Sequence, residues 1–155
     1  MKLRIILYVT CLLVLSAVYA PTTAIAQEQD YLSMMAEESE IKAIAEVTNV
    51  RRMSGGKNGS FMHVTFKKIY SITPYTPKQF VGGCTVYEQR WQTRSEDMVY
   101  FKPKRGHKVF VTITSNGGAI TSYTHMNRLL ETVIREEPYR LTYSKGQAKV
   151  RPADD

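Results

Sequence analysis

The chain has 155 residues and a formal net charge of +7, with 43% hydrophobic and 23% charged residues. Its size is that of one domain, and one domain is the economical reading. Its two cysteines, Cys11 and Cys84, fall on either side of a predicted cleavage site, which excludes an internal disulfide in the mature protein.

Residues 1–26 read as a secretory signal peptide. Lys2 and Arg4 form a short positive start, and Ile5 to Val18 is an uncharged apolar run of 14 residues. A membrane-spanning helix needs about 20. Ala24 and Ala26 then stand at the two small-residue positions of an A-x-A cleavage site, so the mature chain is expected to begin at Gln27. Cys11 lies too early, behind Tyr8-Val9-Thr10, to be a lipid-attachment site. Losing Lys2 and Arg4 takes the charge from +7 to +5, and about 129 residues remain. That balance favours anionic partners without naming one. The expected location is periplasmic or secreted, with no span in the mature chain.

Residues 27–39 form an N-terminal segment. Tyr31, Leu32, Met34 and Met35 fit a short helix capped by Asp30 or Ser33, or a frayed end. The main domain is predicted over 40–144. Alternation of Ile41, Ala43, Ala45 and Val47 predicts a first strand from about Glu40 to Arg52, with a helix reaching Val47 as the rival. Ser54-Gly55-Gly56-Lys57-Asn58-Gly59-Ser60 is a flexible turn, and Phe61 to Ile72 alternates as the second strand, suggesting a hairpin. Pro74, Pro77, Gly82 and Gly83 mark a loop over 73–83, and Cys84 to Thr93 reads as the third strand. His107 to Ser115 alternates through Val109, Val111 and Ile113, Asn116-Gly117-Gly118 signals a hairpin, and Ala119 to His125 is the fifth strand. Asn127 caps a helix with the stripe Leu129, Leu130, Val133, Ile134, ended by Pro138. Tyr139, Leu141 and Tyr143 alternate as an edge strand, and 145–155 is read as a polar tail. The predicted class is mainly β: a small five-stranded OB-like barrel with one helix after its last strand.

The order of these segments resembles the netrin-like domain, the OB-fold barrel shared with tissue inhibitors of metalloproteinases. The pieces that carry the resemblance are Ala43-Ile44-Ala45-Glu46-Val47, Val64-Thr65-Phe66-Lys67-Lys68-Ile69-Tyr70, Gly106-His107-Lys108-Val109-Phe110-Val111 and Asn116-Gly117-Gly118-Ala119-Ile120. The resemblance implies a fold. It transfers no inhibitory residue, because the family's inhibitors begin with a zinc-binding cysteine where this chain has Gln27. The family's disulfides are also missing, with Tyr123 roughly where a second cysteine is expected.

The strongest chemical signal is local. Lys102, Lys104, Arg105 and Lys108 fall within seven residues that hold no carboxylate, and His107 adds a titratable cation. These four are the candidate ligand-binding residues. Arg51, Arg52, Lys67 and Lys68 add to them if the first two strands lie nearby, and Tyr70, Tyr75, Tyr87 and Trp91 are candidate stacking faces. Cys84, His63, His107 and His125 are the raw material for a Cys–His or zinc site, but they match no known spacing. Glu96 and Asp97 are adjacent and point apart on an extended chain, so they form no obvious acid–base pair. No cofactor motif is present. The expected function is an exported non-enzymatic binding module for an anionic ligand or a protein partner. The alternatives are a small extracytoplasmic enzyme and a structural subunit of an envelope assembly.

Overall fold

A computed structural model describes residues 31–152. The predicted signal segment, the start of the N-terminal segment and the last three residues lie outside the described residues. The elements, in chain order, are helix α1 (Tyr31–Glu38), strands β1 (Ile41–Gly56), β2 (Gly59–Ser71), β3 (Gln79–Val86), β4 (Lys108–Ile113) and β5 (Ile120–His125), helix α2 (Arg128–Glu136), a 3-10 turn (Pro138–Arg140), and strands β6 (Leu141–Ser144) and β7 (Gln147–Val150). The protein is mainly β. Five strands form one antiparallel sheet in the order β3-β2-β1-β4-β5, and β6 and β7 form a separate hairpin.

β1 organises the sheet. Its first half pairs with β2 on one side and with β4 on the other, Ile41 opposite Ile113 and Glu46 opposite Lys108. That first half is also covered by a core on each face, which explains why Ile44 breaks the apolar alternation. Ala43, Ala45 and Val47 point into the larger core with Val64, Phe66, Phe80, Val109 and Val111. Ile44 and Phe110 point the other way, under Leu130 and Ile134 of α2 and Ala148 of β7. Leu130, Val133 and Ile134 of the helical stripe read from the sequence are buried, whereas Leu129, expected in the same stripe, is exposed. Asn127 caps α2 as expected, its side-chain oxygen accepting the Leu130 N–H at 2.8 Å.

The third strand and the C-terminal tail differ from the sequence reading, and the N-terminal segment takes the helical one of its two readings. The third strand is Gln79–Val86, and Trp91 stands in the long irregular segment that follows it. Gly82 and Gly83 read as turn formers, but both lie in β3 with Phe80 and Cys84 buried on either side. Gly82 is there because β3 passes too close to β4 and β5 for a side chain. A Cβ on it would lie 2.6 Å from Ile120 Cγ1 and 2.8 Å from Ile113 Cδ1. The segment 31–38 is helical, and its buried Ala36 marks the face that packs inward. Gln147–Val150, assigned to the polar tail, is β7, because Ala148 and Val150 alternate into the second core.

β3 also meets the β4–β5 turn. The Gly117 N–H donates to the Val81 carbonyl at 2.7 Å, and the Gly83 N–H donates to the Gly118 carbonyl at 2.8 Å. Asn116 Oδ1 accepts the Val81 N–H at 3.0 Å, and Gly83 and Ala119 form a parallel bridge. The far strand of the sheet thus has its edge hydrogen bonds satisfied by the opposite hairpin. Among the described residues, no helix is long and apolar enough to cross a membrane.

Candidate functional site

The cationic segment enters β4 through a tight turn. Gly106 takes φ +87°, a conformation that favours glycine. The His107 N–H donates to the Lys104 carbonyl at 3.1 Å and closes the turn. Two more bonds clamp it to the middle of β1: the Gly106 N–H to the Val47 carbonyl at 2.8 Å, and the Val47 N–H to the His107 carbonyl at 2.9 Å. The cations are therefore carried on a fixed backbone.

Lys102, Lys104, Arg105 and Lys108 are all exposed. Among the described residues Lys102, Lys104 and Arg105 make no ion pair. Lys108 is diverted. Its Nζ lies 3.2 Å from Glu131 Oε2 on α2, and Arg135 lies 3.1 Å from the other oxygen. Hydrogen bonds from Lys108 and then Arg135 hold the Glu131 carboxyl below the usual carboxylate range. An open hollow of about 570 Å³ lies beside this pair. Lys108, Arg128 and Arg135 line it together with Glu131 and Glu136, so its charge is nearly balanced.

Beneath the turn, the fold gathers residues that are far apart in sequence. His107 and His125 meet edge to face, with ring centroids 4.5 Å apart and planes at 72°. Tyr123 stands beside both, its Oη 3.0 Å from His107 Nδ1 and its ring perpendicular to His125 at 5.8 Å. Burial pushes the Tyr123 phenol up to about 12, with Cys84 adding to the rise and the Lys104 backbone N–H opposing it. Burial holds the His107 imidazole below its ordinary range, reinforced by His125 and Lys104. The signal for this pairing was present. A hairpin centred on Asn116-Gly117-Gly118 sets Val109 opposite His125, which makes His107 the diagonal neighbour.

The remaining candidates lie elsewhere. His63 is on β2, opposite Gly83 of β3 and edge-on to Phe61 at 5.7 Å. Cys84 is buried, and burial pushes its thiol up to about 12, so it is a protonated packing residue at neutral pH. Among the described residues, no three His, Cys, Asp or Glu side chains come together as a metal-holding group. Arg52 lies 3.7 Å from Glu88, and Lys68 donates to the Thr76 carbonyl. Tyr70 lies under the Arg135 guanidinium at 4.7 Å, Tyr87 meets Tyr100 edge-on, and Tyr75 is almost fully exposed in the β2–β3 loop. The aromatic residues are thus dispersed along the sheet.

Sequence reasoning missed one structural residue. Gln92, in the segment between β3 and β4, is 4% exposed. Its amide accepts the Glu88 and Gln89 N–H groups, both at 3.0 Å, and donates to the Gly56 carbonyl at 3.2 Å and to Ser60 Oγ at 3.1 Å. It ties the irregular segment to the tip of the β1–β2 hairpin.

Comparison of the chain with protein-family models, with curated proteins and with solved structures returns no match.

Proposed function

We propose that this protein is an exported, non-enzymatic binding module that holds an anionic ligand, or the anionic surface of a protein partner, at the turn from Lys102 to Lys108. The observation that carries this reading is the grouping of Lys102, Lys104 and Arg105. These three cations lack ion pairs among the described residues and sit on a turn clamped to Val47. Crowded like charges cost self-repulsion in the folded state, and an anionic ligand offsets it. Lys108 contributes through the Glu131 pair rather than as a free cation. The enzyme alternative draws no support from Cys84, whose protonated thiol is a poor nucleophile.

We read the scaffold as an OB-like barrel of the netrin-like kind. Support comes from the strand order and from the parallel bridge between Gly83 and Ala119, which brings the two ends of the sheet together. Export is proposed from Lys2, Arg4, the apolar run and the Ala24-Ile25-Ala26 site. Mass spectrometry of the protein recovered outside the cytoplasm should find Gln27 at its N-terminus. An intact Met1 there would contradict export by cleavage.

The binding reading is tested with heparin as a polyanion probe. Affinity should fall as salt rises, because the Debye length shrinks from about 10 Å at 0.1 M to about 3 Å at 1 M. The double variant Lys104→Ser/Arg105→Ser should bind about tenfold more weakly and with a shallower salt dependence. Its melting temperature should hardly move, since both side chains are exposed. Equal affinity of variant and wild type would reduce the cluster to a solvated turn and remove the reading's main support.

A further inference from the structure

We propose that His107 and His125, with Lys104, form a proton-coupled site for a tetrahedral oxyanion, the sulfate or phosphate ester group of an anionic ligand. The inference rests on the anion-binding reading above and names the chemistry of its ligand. The two imidazoles come from the start of β4 and the end of β5, 4.5 Å apart between centroids, directly beside the cationic turn. The groups that act on them are Lys104 from the turn and Tyr123 from β5, with Cys84 of β3 behind Tyr123. No carboxylate is among the groups acting on His107.

The proton inventory follows from the hydrogen bonds. Tyr123 Oη and His107 Nδ1 share one hydrogen bond at 3.0 Å, the hydroxyl donating or accepting according to the imidazole tautomer. Neutral His107 carries one ring hydrogen, on either nitrogen. Charging His107 makes both ring nitrogens donors, so the Tyr123 hydroxyl must then accept, beside Lys104 and against His125. His125 is exposed at the end of β5, with its ring against those of His107 and Tyr123. Without a ligand, two cationic imidazoles and an ammonium would repel one another. An oxyanion supplies the missing negative charge and gives each imidazolium a charge-assisted acceptor.

Linkage sets the sign. The bound anion raises the imidazole pKa values above those of the free protein. Affinity is then greatest below the free-state values and is lost as pH rises through the bound-state values.

The experiment measures binding of heparin and of inorganic polyphosphate from about pH 8 to about pH 5 at constant ionic strength. Each coupled proton strengthens binding by up to about tenfold per pH unit across its titration range. The wild type should gain about tenfold or more overall, with proton uptake measured calorimetrically in buffers of different ionisation enthalpy. His125→Asn should lose most of both. His63→Asn, on a separate strand, should keep both. Tighter binding of heparin assigns a sulfate ester, and tighter binding of polyphosphate a phosphate ester. Both support the site. An equal rise in wild type and His125→Asn would overturn the inference. So would pH-independent binding that still depends on Lys104 and Arg105, and that result would leave the anion-binding reading standing. Failure to bind either polyanion at any pH would overturn both.

Discussion

Replacing Gln92 with alanine should destabilise the protein by about 3 kcal/mol, an unusually large effect for a residue outside the sheet. The side-chain amide makes four hydrogen bonds, two as acceptor and two as donor. Its backbone carbonyl also accepts the Tyr87 hydroxyl at 3.1 Å. Each buried polar group left without a partner costs roughly 1–3 kcal/mol. Alanine orphans the Glu88 and Gln89 N–H groups, the Gly56 carbonyl and Ser60 Oγ, and water recovers part of the loss near the exposed hairpin tip. Gln92→Glu separates the two halves of the argument. Its carboxylate still accepts from Glu88 and Gln89 but cannot donate to Gly56. Its loss should therefore be smaller than alanine's, and partly relieved at low pH, where the carboxyl regains one donor. Urea denaturation gives the magnitude, and limited proteolysis shows whether the segment between β3 and β4 has been released. A cost under about 1 kcal/mol with no new cleavage would mean that the amide is dispensable.

The second large effect is expected at Gly82. Gly82→Val should cost about 3 kcal/mol or more, because overpacking a tight contact forces backbone movement. The side chain would meet Ile120 and Ile113 on the facing hairpin, neither of which has solvent to move into. Relief requires β3 to lift away, breaking the Gly83–Gly118 and Gly117–Val81 bonds. Gly106→Ala is the contrasting case. It has open space around its Cβ but a φ of +87°, so it carries only a backbone penalty of about 1 kcal/mol. Thermal denaturation of the two variants tests the ranking, and amide exchange at Gly83 and Gly117 tests the mechanism. If Gly82→Val costs no more than Gly106→Ala, the sheet ends are not in tight contact.

These two sites also mark where sequence reasoning stopped. Strands β1, β2, β4 and β5 were legible because side-chain alternation and the glycine turns between them are local signals. The α2 cap and stripe were legible for the same reason. β3 was misplaced because a glycine chosen for close approach looks like one chosen for a turn, and the distinction lies in Ile113 and Ile120, about 30 residues further on. The irregular segment was read as strand because its spacing places Tyr87 and Trp91 in alternation, while Gln92 gives no periodic signal at all. At the candidate site, Lys102, Lys104 and Arg105 were legible as near neighbours. The diversion of Lys108 to Glu131 needed the packing of α2 on β4. The pairing of His107 with His125 needed only the hairpin register.

The contact between β3 and the β4–β5 turn bears on the order in which the chain folds. β1, β2 and β3 are sequential, and a two-residue turn at Lys57 and Asn58 joins the first two. These pairings close short loops and form at low entropic cost. Val81 and Asn116 are 35 residues apart, and Ile41 pairs with Ile113 across an even longer loop. Distant pairings of this kind are rewarded only after their loops have been closed. The three-stranded meander should therefore assemble first, with β4 docking on β1 next and the turn reaching β3 last. A residue whose contacts form after the transition state governs escape from the native state rather than entry to it. Gly82→Val should then steepen the loss of kinetic stability, raising the unfolding rate while the refolding rate stays near that of the wild type.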